Sequence, residues 1–173
     1  MNQRGWLELL SIRGLHANQL KFMRCSPQHL HADLLNQLIK PQAFDHIVTL
    51  VREPKSRLIS EYCWQKIQGM TALQPEKWIE QTFTEFQKDR FLDDNHIRPQ
   101  SDFVLSSTQI FKLEEDGIRK ALEAVTPEIE GNYPAIENLK STQKSPAILE
   151  AFEIAKDRIC EFYAKDYELL GYP

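Results

Sequence analysis

The segment VREPKSRLIS, residues 51–60, sets Arg52, Arg57 and Ser60 around a single proline, Pro54. A guanidinium grips phosphate oxygens through a planar fork that an ammonium cannot copy, and a serine hydroxyl can complete such a grip. The chemistry these types suggest is the binding of one phosphate. Arg52 follows the apolar run VTLV and so stands at the carboxyl end of an expected strand, where open α/β sheets bind their ligands. Pro54 opens an expected helix whose first N–H groups and positive dipole end would face the same anion. Ser60 lies two turns into that helix, and Arg57 is on its face one turn earlier. The same spacing also fits a plainer arrangement, with Arg52 paired to Glu53 or another carboxylate and Ser60 on a solvated helix face.

The rest of the chain limits what kind of protein positions these residues. Its 173 residues suit one domain, and 42% hydrophobic residues suffice for a core. The 21 Lys+Arg against 25 Asp+Glu leave a mildly acidic net charge of -4, so nucleic acid and anionic membranes are not expected partners and any anion site must be local. Cys25, Cys63 and Cys160 are odd in number, widely spaced and without metal-ligand spacing, which predicts reduced thiols, no metal and a cytoplasmic location. The apolar run near the N-terminus is broken by Glu8, and no stretch approaches the roughly 20 apolar residues of a membrane span.

Elements follow from periodicity and punctuation. Ser26 before Pro27 predicts a helix start, and PQHLHADLLNQLI places Leu30, Leu34, Leu35 and Leu38 on one face before Pro41. FDHIVTLV predicts a buried strand, Pro54 opens the next helix, and a further helix is expected from Pro75 to about Arg90. RFLDDNHIRPQSDF reads as an ordered loop in which Asp93, Asp94 and Asn95 cap and Pro99 stiffens. TQIFKLEE predicts a second buried strand followed by a helix over 115–125, TPEIEGNYPAIENLKSTQKS a long loop, and the last 28 residues one amphipathic helix. Trp6, Trp64 and Trp78 lack interleaved basic residues and read as packing residues. The order of elements is α/β.

VREPKSRLISEY resembles the 3′-phosphate-binding segment of sulfotransferases that use 3′-phosphoadenosine 5′-phosphosulfate (PAPS), most closely the carbohydrate type, sulfotransferase family 2. SPQHLHADLLNQL, DNHIRPQSDFV, IFKLEEDGIRKAL and the ending ICEFYAKDYELLGYP, with a tyrosine and an aspartate before Gly-Tyr, extend the resemblance over about residues 25 to 173. It implies a P-loop-related α/β fold, with a small parallel sheet flanked by helices, and transfer of a sulfuryl group from PAPS to a hydroxyl of a carbohydrate-type acceptor. Arg52 and Ser60 match the pair that holds the 3′-phosphate of the nucleotide, and Arg57 matches a supporting arginine. His29 and His31 fall where relatives of the 2-O-sulfotransferase kind carry a histidine base, and an imidazole with an ordinary pKa near 6.5 suits that task at neutral pH. Two positions apart on one helix, only one of them would face the site. His96 and Arg98 fall where an acceptor or the sulfonate would be touched, or else stiffen the loop. Lys140, Ser141, Thr142 and Lys144 resemble the late loop that closes over the nucleotide, and Glu114 would orient an arginine or simply sit at a helix N-terminus.

One family feature is missing from the pattern. Sulfotransferases begin with a strand and a lysine-bearing loop around the 5′-phosphosulfate, whereas SIRGLHANQLK contains no K-x-x-x-T/S before a helix. Such a loop supplies preorganised donors worth about 10² to 10³ in rate apiece. The expectation is therefore an N-terminally incomplete sulfotransferase-like domain. Its alternative function is that of a non-catalytic relative that binds the nucleotide weakly or acts through protein contacts.

Overall fold

A computed structural model describes residues 24–126 and 144–173. Their architecture is α/β: a two-stranded parallel sheet with helices packed around and beyond it. Strand β1, Val48–Val51, pairs with β2, Gln109–Lys112, with Val48 opposite Gln109 and Val51 opposite Lys112. Alternation along β1 turns Val48 and Leu50 to one face and Thr49 and Val51 to the other. Of the four only Val51 is buried, and Leu50 is 43% exposed, so the strands expected to be buried throughout are half-covered among the described residues.

Seven α-helices are described. α1 is Ala32–Leu38, α2 Pro54–Ile67, α3 Pro75–Lys88 and α4 Gly117–Val125. α5, α6 and α7 are Pro146–Ile154, Lys156–Phe162 and Ala164–Leu170. Four of these depart from the sequence-based expectation. The single helix expected from Pro27 is a 3-10 turn, Pro27–His29, followed by extended Leu30 and His31 and only then α1. The carbonyl of His29 accepts from Asn95 Nδ2 at 2.8 Å, which diverts an acceptor that a continuous helix would use. The expected C-terminal helix keeps its apolar face but bends at Ala155 and at Tyr163, giving α5, α6 and α7.

The core lies between α2, α3, α5 and α6. Leu58, Ile59, Tyr62 and Cys63 from α2 meet Trp78, Ile79, Phe83 and Phe86 from α3, closed by Phe152, Ile159 and Tyr163. Phe83 stacks face to face on Phe162 at 3.8 Å between centroids. Cys25 and Cys63 are buried, and all three cysteines are free thiols. At the start of α4 the backbone passes so close to β2 that a Cβ on Gly117 would stand 2.3 Å from the Lys112 carbonyl oxygen, so only glycine fits. No helix among the described residues is long and apolar enough to cross a membrane.

Two buried polar bridges tie the C-terminal helices to the loop between α3 and β2. Tyr163 donates its hydroxyl to the Ile97 carbonyl at 2.8 Å. Asp166, wholly buried, accepts from the backbone N–H groups of Gln100 and Ser101, both at 2.8 Å. Removing one partner of a buried hydrogen bond costs about 1–3 kcal/mol for each group left unpaired. Asp166→Ala strands two buried N–H groups, so we expect a loss of about 3 kcal/mol in denaturant unfolding, read as a lower midpoint with an unchanged slope.

Candidate functional site

Beyond the carboxyl end of β1 opens a cleft of about 690 Å³, lined by Gln28, His29, Arg52, Arg57, Ser60, Glu61, Trp64, Asn95, His96 and Phe103. Arg52 enters it with its backbone fixed on both sides. The Gln100 side chain accepts from the Arg52 N–H at 2.9 Å and donates to the Arg52 carbonyl at 2.7 Å, substituting for a neighbouring strand. The guanidinium Nη1 then donates to Ser60 Oγ at 2.8 Å, so the two residues read from the sequence as a phosphate grip converge. Ser60 accepts this bond and keeps its own O–H to give. Among the described residues Arg52 has no carboxylate partner.

Glu53 is occupied otherwise. Its carboxylate accepts from the N–H groups of Lys55 and Ser56, capping α2, and from the Tyr167 hydroxyl at 2.8 Å. The expectation that free N–H groups of this helix face an anion is corrected: a protein carboxylate already occupies that position. Among the described residues Glu114 orients no arginine. It accepts from the Glu53 N–H at 2.9 Å and the Tyr172 hydroxyl at 3.2 Å, bracing the β1–α2 turn.

Arg57 is a positioning residue. Its two terminal nitrogens donate to the carbonyls of Arg98, at 2.9 Å, and His96, at 2.6 Å, fastening the following loop to α2. That loop contains three successive left-handed residues, Asp93, Asp94 and Asn95, with φ of 47°, 56° and 69°. Asp and Asn are the side chains that tolerate this region best, yet three in a row store strain. Asp93 accepts from Gln65, while Asp94 accepts from the Ser26 N–H at 2.5 Å and from its hydroxyl. Asp94 also meets His29 Nδ1 at 2.9 Å.

The two histidines of the cleft lie edge to face with ring centroids 4.6 Å apart. His96 Nδ1 meets Glu61 Oε2 at 3.0 Å. That hydrogen bond holds His96 above the ordinary imidazole value against the opposing effect of burial. Burial pushes His29 below it, opposed by the bond to Asp94 and reinforced by the charge of His96. Glu61 sits below its usual range because His96, Gln65 and Arg57 together outweigh its burial.

His31 is not in the cleft. It is buried, edge-on to Phe91, and begins α1, so of the two histidines only His29 reaches the site. Arg98 is likewise removed from the cleft. Its guanidinium is consumed by Asn95 Oδ1, Asp102 and the Arg90 carbonyl, and it is buried over the Phe91 ring. Lys140, Ser141 and Thr142 lie outside the described residues. Lys144 is described, and burial together with the nearby Arg52 lowers its pKa.

Glu61, Asp94 as a histidine partner, Gln100 and the cleft-facing Trp64 are not singled out by sequence reasoning. A signal for two of them exists: Arg57, Ser60, Glu61 and Trp64 stand at i, i+3, i+4 and i+7, one face of α2. Trp64, expected as a packing residue, is 37% exposed beside His96. Comparison with protein-family models, with curated proteins and with solved structures gives no match.

The ion pair in the cleft has a pH signature. The raised His96 contributes stability that is complete below its unfolded value of 6.5 and disappears as pH rises through its higher folded value. The lowered Glu61 contributes above its ordinary 4.5 and loses that as pH falls through its lower folded value. The pair therefore stabilises most between these two ordinary values. Glu61→Gln should cost clearly more stability at about pH 6 than at about pH 9 in parallel urea titrations, and equal losses would count against a charged pair.

Proposed function

We propose that the cleft holds the nucleotide of PAPS by its 3′-phosphate, between Arg52 and Ser60, and that the protein transfers the sulfuryl group to a hydroxyl of a carbohydrate-type acceptor. The observation that carries this reading is the Arg52–Ser60 contact in the same cleft as the carboxylate-held His29. A guanidinium with no carboxylate partner and a hydroxyl with a free proton form a fork for phosphate oxygens. Lys144 lies close enough for Arg52 to lower its pKa, and an anion between the two would relieve that repulsion.

With Asp94 accepting from Nδ1–H, His29 is fixed in the tautomer whose Nε2 carries a lone pair. Nε2 takes the proton of the acceptor hydroxyl. The acceptor oxygen forms its bond to sulfur as the bond from sulfur to the 5′-phosphate oxygen breaks, and that electron pair leaves with adenosine 3′,5′-bisphosphate. Arg57 contributes by holding the His96 loop against α2, and Trp64 offers an apolar ring face to the acceptor.

The test is a melting experiment followed by a transfer assay. Adenosine 3′,5′-bisphosphate should stabilise the protein, by about 2.7 kcal/mol at 100 times its Kd. Arg52→Ala should remove the shift while the unliganded protein stays folded. An equal shift from adenosine 5′-monophosphate would mean that no 3′-phosphate is read. Sulfate transfer from PAPS that His29→Ala reduces by about 10² to 10⁴ would establish the base. Binding without any transfer would leave a nucleotide-binding relative that does no chemistry.

A further inference from the structure

The cleft contains a second imidazole–carboxylate pair that the base role of His29 does not use. His96 presents Nδ1 to Glu61 and packs edge to face against His29, and among the described residues Nε2 of neither ring has a hydrogen-bond partner. Both rings line the same cleft. We infer that His96 is a second substrate-contacting residue, which donates its free Nε2–H to an oxygen of the sulfonate while His29 takes the proton of the acceptor. This inference rests on the sulfuryl-transfer reading of the cleft.

Donation from both nitrogens requires an imidazolium, and the surroundings of the two rings assign the charge to His96. Glu61 commits Oε2 to His96 alone and takes only Gln65 on its other oxygen. Asp94 spreads its charge over the Ser26 N–H, the Ser26 hydroxyl and His29, which leaves less for the His29 ring. The charged and titratable groups facing His96 are Glu61 and Arg57 from α2, Asp93 and Asp94 from the left-handed turn, and His29. Those facing His29 are Asp94 and His96. Their directions agree with the assignment, His96 raised and His29 lowered. One protonated ring touching one neutral ring is the arrangement by which two like groups take opposite roles.

The atoms balance without a further reagent. The hydroxyl proton goes to His29 Nε2, the S–O bond to the acceptor forms and the S–O bond to the 5′-phosphate breaks. His96 keeps its proton, holding the sulfonate charge before and after transfer. Such a donor, already held in place by Glu61, costs little reorganisation during reaction.

Imidazole resonances of the full chain, assigned with His29→Gln and His96→Gln among its five histidines, give the test. In the unliganded protein His96 should release its proton at higher pH than His29, and His96→Gln should raise the His29 midpoint by removing a neighbouring charge. Inorganic sulfate, added after saturation with adenosine 3′,5′-bisphosphate, should shift the His96 signals. His96→Gln should weaken its binding about tenfold or more, the effect of one lost charge-assisted hydrogen bond. Unchanged sulfate affinity in His96→Gln, or a His29 that titrates last, overturns the inference. If the bisphosphate fails to bind while sulfate binding still depends on His96, the nucleotide reading fails and the anion-holding role of His96 stands.

Discussion

The carboxylate of Asp166, sealed from solvent, is the constraint on which the cleft depends. It takes the N–H groups of Gln100 and Ser101, and Gln100 in turn brackets the backbone of Arg52 from both sides. A charge with no solvent access is tolerable only where its hydrogen bonds are complete, so the C-terminal helix has one position relative to the 100–101 loop. The direction in which β1 ends, and with it the aim of the Arg52 guanidinium at Ser60, follows from that position. Among the described residues the sheet has two strands and little stiffness of its own, and a side-chain amide and a buried carboxylate brace the end of β1.

The second constraint is a strained one. Asp93, Asp94 and Asn95 occupy the left-handed region in succession, and each uses its side chain: Asp93 on Gln65, Asp94 on Ser26 and His29, Asn95 on the His29 carbonyl and Arg98. Strain of about 1–3 kcal/mol per residue persists only where the surroundings over-determine the conformation. These do, because the turn joins the segment before α1, helix α2 and the buried Arg98. Its product is one oriented imidazole. The same turn ends at His96, whose carbonyl Arg57 holds, so both rings are set by a single piece of backbone.

What could be read from the sequence, and what could not, divides by the range of the interactions. Arg52, Pro54, Arg57 and Ser60 lie within nine residues, where strand end, proline start and helical spacing fix relative positions locally, and their convergence was legible. The α/β order was legible from the local pattern of each element, whereas the pairing of Val48 with Gln109 is long-range and its parallel sense was expected only through the resemblance. His29 and His31 were separable only in outcome. They part because Asn95, 66 residues away, takes the His29 carbonyl and ends the helix expected to carry both. Arg98 and His96, two residues apart in one loop, have opposite fates, one consumed by three internal acceptors and the other facing the cleft. Only tertiary contacts decide between them. Gln100 carries no local signal at all, since its role is defined by partners 48 and 66 residues distant.

The charge distribution explains why such positioning matters more here than composition. The chain is acidic overall, so no long-range field draws an anion in, and the usual help from a helix N-terminus is absent because Glu53 already caps α2. What remains is short-range and specific: Arg52, without a carboxylate partner among the described residues, Lys144, whose pKa is lowered by burial and by Arg52, and His96, whose pKa Glu61 raises. Glu61, which lines the cleft, and Asp94, which touches it only through His29, are each bonded to a histidine. On the proposed reading, an anion is favoured only where its oxygens match these few donors. Selectivity built this way would depend on close geometry, and the bonds of Asp166, Gln100, Arg57 and the left-handed turn are what hold that geometry.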